Sequence, residues 1–190
     1  ASNGISEVPE GRWPLQDITS AAGQVERRVR HGGFLQSVEL FDNASFGVSP
    51  VEANAMDPQQ RLLLELAYES LHGAGWDKPT LVGRGTGIFV AIANNDWSDI
   101  VKASAMVRSV YSATGASMSI ASGRISFVLG LQGPCVSYDT ACSAALAANH
   151  AALRALQFEE CEEGLVSGVS LMLMPATSWS FAMAGMTSPN

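Results

Sequence analysis

Apolar residues along this chain follow two rhythms. Between positions 58 and 71, Leu62, Leu63, Leu66, Ala67 and Leu71 recur at helical spacing, which predicts a helix with one buried side. Farther on, the apolar positions run together. Residues 88–93, 134–138 and 165–174 read as short buried strands. Between the last two lies 145–156, composed almost wholly of strong helix formers. Strand, helix and strand alternating from 86 to 174 predict an α/β domain with right-handed crossovers.

Punctuation sharpens these limits. Asp57 is placed to be a helix N-cap, Pro58 suits the first helical position, and Gln60 would complete a capping box. Arg61 and Glu65 can pair one turn apart on the solvent side, and Gly73 and Gly75 end the helix. Gly83, Gly85 and Gly87 are not a phosphate loop. Such a loop follows a strand and opens a helix, whereas these glycines precede the strand at 88–93 and form a turn. After that strand, Asn94-Asn95-Asp96-Trp97 leads into a helical stretch with Ile100, Val101 and Met106. Residues 10–14 are irregular. The one basic cluster, 24–31, reads as a solvated loop, with a docking patch for an acidic partner as the other reading. Residues 114–126 are dense in small side chains that let backbones approach closely, in a core or across a subunit interface. Pro175 stops the last strand, residues 177–184 are helical, and 185–190 form a loop.

Composition narrows the class. The chain has 190 residues, enough for one domain with a core, and its 47% hydrophobic and 15% charged content is that of a globular, rather dry protein. No apolar run reaches membrane-spanning length, and the first seven residues lack the basic and apolar parts of a secretory signal. The absence of a starting Met suggests that the chain begins mid-protein. A net charge of −7 argues against a general nucleic-acid binder. Three Cys residues without a Cys-x-x-Cys pair imply reduced thiols and a cytosolic setting.

One of these thiols is placed for chemistry. Cys142 falls where the strand at 134–138 hands over to the helix at 145–156. A thiol there faces free backbone N–H groups and the positive end of the helix dipole, both of which favour the thiolate. The same N–H groups could hold the oxyanion of a tetrahedral intermediate. A small packing Cys is the bland alternative. Cys135 lies inside the strand, and Cys161 sits among Glu159, Glu160, Glu162 and Glu163, whose carboxylates disfavour its thiolate.

Asp139-Thr140-Ala141-Cys142-Ser143-Ala144-Ala145-Leu146 closely resembles the active-site motif of β-ketoacyl synthase domains. His31-Gly32-Gly33-Phe34-Leu35, Met56-Asp57-Pro58-Gln59-Gln60-Arg61 and Ser122-Gly123-Arg124-Ile125-Ser126 resemble further signatures of the ketosynthases of type I modular polyketide synthases. Ser is common in that family where this chain has Ala144 and Ala145. The resemblance implies the thiolase-like layered αβαβα fold, mainly its first half, with residues 1–190 a partial domain. It implies that Cys142 is the catalytic residue and carries the acyl chain as a thioester. No cofactor is expected to bind directly, and no metal; acyl groups would arrive on the phosphopantetheine arm of a carrier protein. The implied partners are an acyl carrier protein domain, a second copy in a homodimer with 114–126 near its interface, and other synthase domains of the same polypeptide. No nucleic acid and no membrane span are expected. The implied location is the cytoplasm, or a plastid were the source a photosynthetic eukaryote.

The resemblance also marks a limit. In the family, two His residues downstream of the Cys stabilise the enolate of a decarboxylating extender, and this chain ends before either motif. It also lacks the strand that normally precedes the region of residues 10–13. His150 lies eight positions past Cys142, ~12 Å along the same helix, and His31 and His72 have no evident catalytic role. The parent is therefore expected to condense acyl chains and this stretch alone is not. The competing readings are a thiolase or starter enzyme using coenzyme A thioesters, which the 56–61 motif disfavours, and a non-catalytic scaffold subunit, which Cys142 disfavours. A Cys protease lacks a credible activating His or Asn.

Overall fold

A computed structural model describes residues 4–13 and 23–188. In chain order the elements are β1 (Ser6–Glu7), α1 (Gly23–Val29), β2 (His31–Gly32), α2 (Pro50–Ala55), α3 (Pro58–Gly73), α4 (Lys78–Leu81), β3 (Thr86–Ile92), α5 (Asp96–Lys102), α6 (Ser112–Ala116), α7 (Ile120–Leu129), β4 (Cys135–Tyr138), α8 (Ala144–Gln157), β5 (Glu163–Val169) and α9 (Pro175–Met183). Short 3-10 turns occupy Ala105–Arg108 and Ala141–Ser143. The chain divides into two compact units, residues 39–171 and residues 1–38 with 172–190.

The larger unit is built on a parallel sheet of order β4-β3-β5. Every residue of β3 is buried, as expected for a parallel strand covered on both faces. Its side chains alternate cleanly. Ile88, Val90 and Ile92 join Leu63, Leu64, Ala67 and Leu71 of α3 and Ala121, Ile125 and Leu129 of α7 in one core. Phe89 and Ala91 face the opposite way, against Ala144, Ala148, Ala152 and Ala155 of α8. The inner side of α8 is thus all alanine, and the helix lies close on the sheet. A Cβ at Gly164 would stand 3.5 Å from the Ala152 Cβ. Gly115 permits another close approach, since a Cβ there would sit 2.1 Å from the Ala55 carbonyl oxygen.

Several expectations are corrected. Among the described residues β4 is an edge strand with β3 as its one neighbour, not a buried strand, and Cys135 and Val136 are exposed. β5 ends at Val169, and Pro175 opens α9 rather than closing a strand. The buried side of α3 includes Leu64 and excludes Leu66, which is 54% exposed. Gln59 and Gln60 are buried and share that side, so polar side chains help set the phase of the helix. Asp57 does cap α3, accepting the Gln59 N–H at 2.8 Å, but Gln60 forms no capping box. Its amide donates to the carbonyls of Thr114, Gly115 and Ser117 instead, and its oxygen accepts from Arg124 Nε at 2.8 Å. Arg61 donates to the Glu39 carbonyl and Glu65 accepts from the Asp42 N–H, so the two do not pair with each other.

In the smaller unit, β1 and β2 pair antiparallel and α1 packs on α9. Val8, Trp13, Val29 and Ala182 form its core. The basic cluster is therefore a helix through Val29 followed by β2, not a loop. Val25 and Val29, one turn apart, give it an apolar side, and Arg27 and Arg28 fall in its last turn, where the helix dipole favours cations.

Candidate functional site

β4 and β3 run in register, with Ala91 opposite Tyr138, so the carboxyl ends of both strands reach the same level. Asp139 and Thr140 then turn the chain, the 3-10 turn follows, and α8 begins at Ala144. Cys142 is the middle residue of that turn and is exposed. Local polar groups hold the turn. Asp139 Oδ1 accepts the Ala141 N–H at 3.1 Å. Ser143 donates its N–H to the Thr140 carbonyl at 3.3 Å and its hydroxyl to Thr140 O and Oγ1 at 2.8 and 2.9 Å. Ser143 is the N-cap of α8 but gives no side-chain cap, because its hydroxyl is engaged behind it. Ala141 has φ +52°, a left-handed conformation that costs a non-glycine residue about 1–3 kcal/mol. The thiol is thus presented from a strained turn, beside a 14-residue helix whose first N–H groups have no side-chain cap.

The other candidates fall elsewhere. Cys135 is exposed at the start of β4. Cys161 is buried, and its thiol pKa is raised, first by burial and further by the Glu160 carboxylate, against a hydrogen bond with the Gly87 backbone. Burial is therefore the larger cause, ahead of the acidic neighbours. His150 is exposed on α8, His72 lies 5.8 Å from the Tyr68 ring and His31 is 3.9 Å from Glu7. Among the described residues no hydrogen bond joins Cys142 to a histidine. Nor does any group of three His, Cys, Asp or Glu side chains stand ready for a metal ion.

Two further sets of polar residues are not evident from spacing. Ser122 of α7 and Ser137 of β4 bring their hydroxyls to 3.0 Å. Arg124, two residues along α7, joins Gln60 and reaches Glu52 at 2.6 Å. The sequence signals for the second set are the runs Met56-Asp57-Pro58-Gln59-Gln60-Arg61, which by spacing alone reads as a packing helix, and Ser122-Gly123-Arg124-Ile125-Ser126. Two open concavities, about 610 Å³ at Phe46, Tyr68 and Lys78 and about 590 Å³ at Tyr111, Arg124 and Phe127, are not lined by Cys142.

A cysteine between a parallel strand and a helix start, on a helix–sheet–helix core, places the chain among the α/β proteins. Residues 1–190 match the family described as "Beta-ketoacyl synthase, N-terminal domain", and the chain belongs to that family. It is 43% identical over 193 residues to polyketide synthase ThaG of Burkholderia thailandensis, covering 97% of this chain and 3% of that one. It is 38% identical over 187 residues to a mycocerosic acid synthase-like polyketide synthase of Mycolicibacterium smegmatis, covering 97% of this chain and 9% of that one. Among solved structures, a ketosynthase from module 6 of the bacillaene synthase of Bacillus subtilis superposes with TM-score 0.82 at 34% identity, over 98% of this chain and 30% of that one. An oxazolomycin ketosynthase domain of Streptomyces albus superposes with TM-score 0.81 at 32% identity, over 95% and 32%. The thiolase-like α/β fold expected from the sequence is thereby established. The chain spans under a third of each of these solved ketosynthases and under a tenth of each of these curated relatives.

Proposed function

We propose that these residues are the N-terminal portion of a ketosynthase domain in a larger polyketide synthase, and that Cys142 is its nucleophile. The Cys142 thiolate attacks the carbonyl of an acyl thioester on a carrier protein's phosphopantetheine arm. A new C–S bond forms, and the carrier thiolate leaves. A malonyl-type extender then loses carbon dioxide, and its enolate attacks the acyl-Cys carbonyl. The Cys thiolate departs, and the lengthened β-ketoacyl chain remains on the carrier. The α8 N–H groups are the chain's own contribution to the oxyanion of the first step. The donors that stabilise the enolate lie, on this reading, outside residues 1–190, so the stretch alone does not condense.

The observation that carries this reading is the exposed thiol at the strained junction of β4 and α8. The polyketide synthase relatives favour a carrier-borne thioester over the coenzyme A alternative. Two exposed surfaces support the partners. β4 offers an unpaired edge, with Phe127 of α7 88% exposed, which suits a second copy in a homodimer. Leu146 and Leu153 are exposed on the outer side of α8, which suits cover by the remainder of the domain. Among the described residues no helix is long and apolar enough to cross a membrane; a cytoplasmic synthase fits the same reading.

The test is acylation of the full polypeptide by a synthetic acyl carrier thioester, read by peptide mass spectrometry. An adduct on Cys142 that disappears in Cys142→Ala is expected. An adduct elsewhere, or none, overturns the assignment.

A further inference from the structure

Gln59, the second residue of α3, has a 1% exposed side chain that makes three polar contacts. Its Oε1 accepts the Leu171 N–H at 3.0 Å, and its Nε2 donates to the Asn94 carbonyl at 2.7 Å and to Asp57 Oδ2 at 3.2 Å. Asn94 lies two residues past the end of β3, and Leu171 two past the end of β5. Asn94 in turn donates its side-chain amide to Ser170 Oγ at 3.2 Å and to the Leu171 carbonyl at 3.4 Å. The three strands are parallel and in register, with Ala91 opposite both Tyr138 and Gly168. Their exits therefore open on one edge of the sheet, the edge where β4 turns toward Cys142. In a parallel α/β sheet, ligands sit outside these carboxyl ends.

Resting on the reading of Cys142 as an acyl acceptor, we infer that Gln59 is a positioning residue for acyl transfer. It touches no reacting atom. One carboxamide sets the spacing of two strand exits, and these exits border the ground on which the thioester must lie when the thiol attacks. A carboxamide suits the task because it both accepts and donates from one rigid plane. Leu in its place would leave the Leu171 N–H and the Asn94 carbonyl without this partner in a buried site, and Asp57 would keep only its bond from the backbone N–H of residue 59.

The test compares Gln59→Leu and Gln59→Glu in the complete ketosynthase-bearing polypeptide. The Glu variant retains shape and the acceptor for Leu171, so it remains informative if the Leu variant does not fold. Two rates are read per folded molecule: alkylation of Cys142 by iodoacetamide, which needs only an accessible thiol, and acyl transfer from a carrier thioester, resolved into kcat and KM. A displaced bound geometry is expected to lower kcat by roughly 10- to 100-fold while alkylation and KM stay within about threefold. Unchanged kcat in the Glu variant would overturn the inference, as would alkylation and transfer falling together in step. Failure of the unsubstituted protein to acylate Cys142 would instead overturn the functional reading beneath it.

Discussion

Ser122 and Ser137 hold their hydroxyl oxygens 3.0 Å apart, and the Ser122 N–H also points at Ser137 Oγ at 3.4 Å. The pair joins α7 to a strand that, among the described residues, lies at the sheet edge with one strand neighbour, five residues before Cys142. Ser137→Ala should lose about 1 kcal/mol of stability, the usual worth of a neutral hydrogen bond, and Ser122→Ala about the same. The double variant should fall well short of the sum, because both substitutions remove one shared contact. Urea unfolding of the four proteins measures this, and strict additivity would mean the hydroxyls do not interact.

Ala141 is held at φ +52° by the strand-to-helix turn. Glycine adopts this conformation freely but carries more unfolded-state entropy, so Ala141→Gly should be neutral or stabilising by up to about 1 kcal/mol. Ala141→Val should be destabilising by more than about 1 kcal/mol, since a β-branched residue is a real outlier at positive φ. Thermal melts rank the three proteins. Equal melting temperatures for the Val and Gly variants would show that the turn relaxes.

Asp57 has a pKa raised above its ordinary 3.8, chiefly by burial, against the Gln59 hydrogen bonds and the Arg61 charge that lower it. The folded state binds this proton more tightly than the unfolded chain. Its contribution to stability is therefore complete below 3.8 and is lost as pH rises through the folded-state value. Asp57→Asn cannot titrate and still supplies a capping oxygen. As pH rises from 3.8 through the folded-state value, hydrogen exchange of the α3 amides should show the native protein losing protection relative to the variant. A gap that widens in the opposite direction contradicts this assignment of the shift.

The three cysteines should separate by reagent. Cys135 and Cys142 are exposed, whereas Cys161 is buried with its thiol pKa raised. Brief iodoacetamide treatment of the native protein, read by peptide mass spectrometry, should label Cys142 and spare Cys161 until the protein is unfolded. Early labelling of Cys161 would place it at a mobile surface.

Cys142 at the strand-to-helix junction and the capped start of α3 are legible in the sequence, because each depends on neighbours within a few residues. The expected glycine turn is only partly there: Gly83 turns the chain at φ +83°, but Gly87 pairs with Gly164 inside β3. Gln60 departs from its expected role for the opposite reason. Its spacing from Asp57 fits a capping box, but Arg124 and three distant carbonyls compete for the amide and win. Val136 reads as core because apolar runs do not reveal which strand lies at the edge; that depends on strand order. The helix at residues 23–29 is hidden by its charge, since only Val25 and Val29 mark its inner side. The Gln59 network joins positions 35 and 112 residues away in sequence, a distance no local pattern spans.

The alanine face of α8 has a consequence for the thiol at its head. Cys142 sits where it does because bulk is missing farther down the same rod. A larger side chain at Ala148 or Ala152 would act as a wedge beneath a lever, tilting the helix off the sheet and swinging the sulfur away from the end of β4. The place of the sulfur at one end is thus gauged by emptiness at the other.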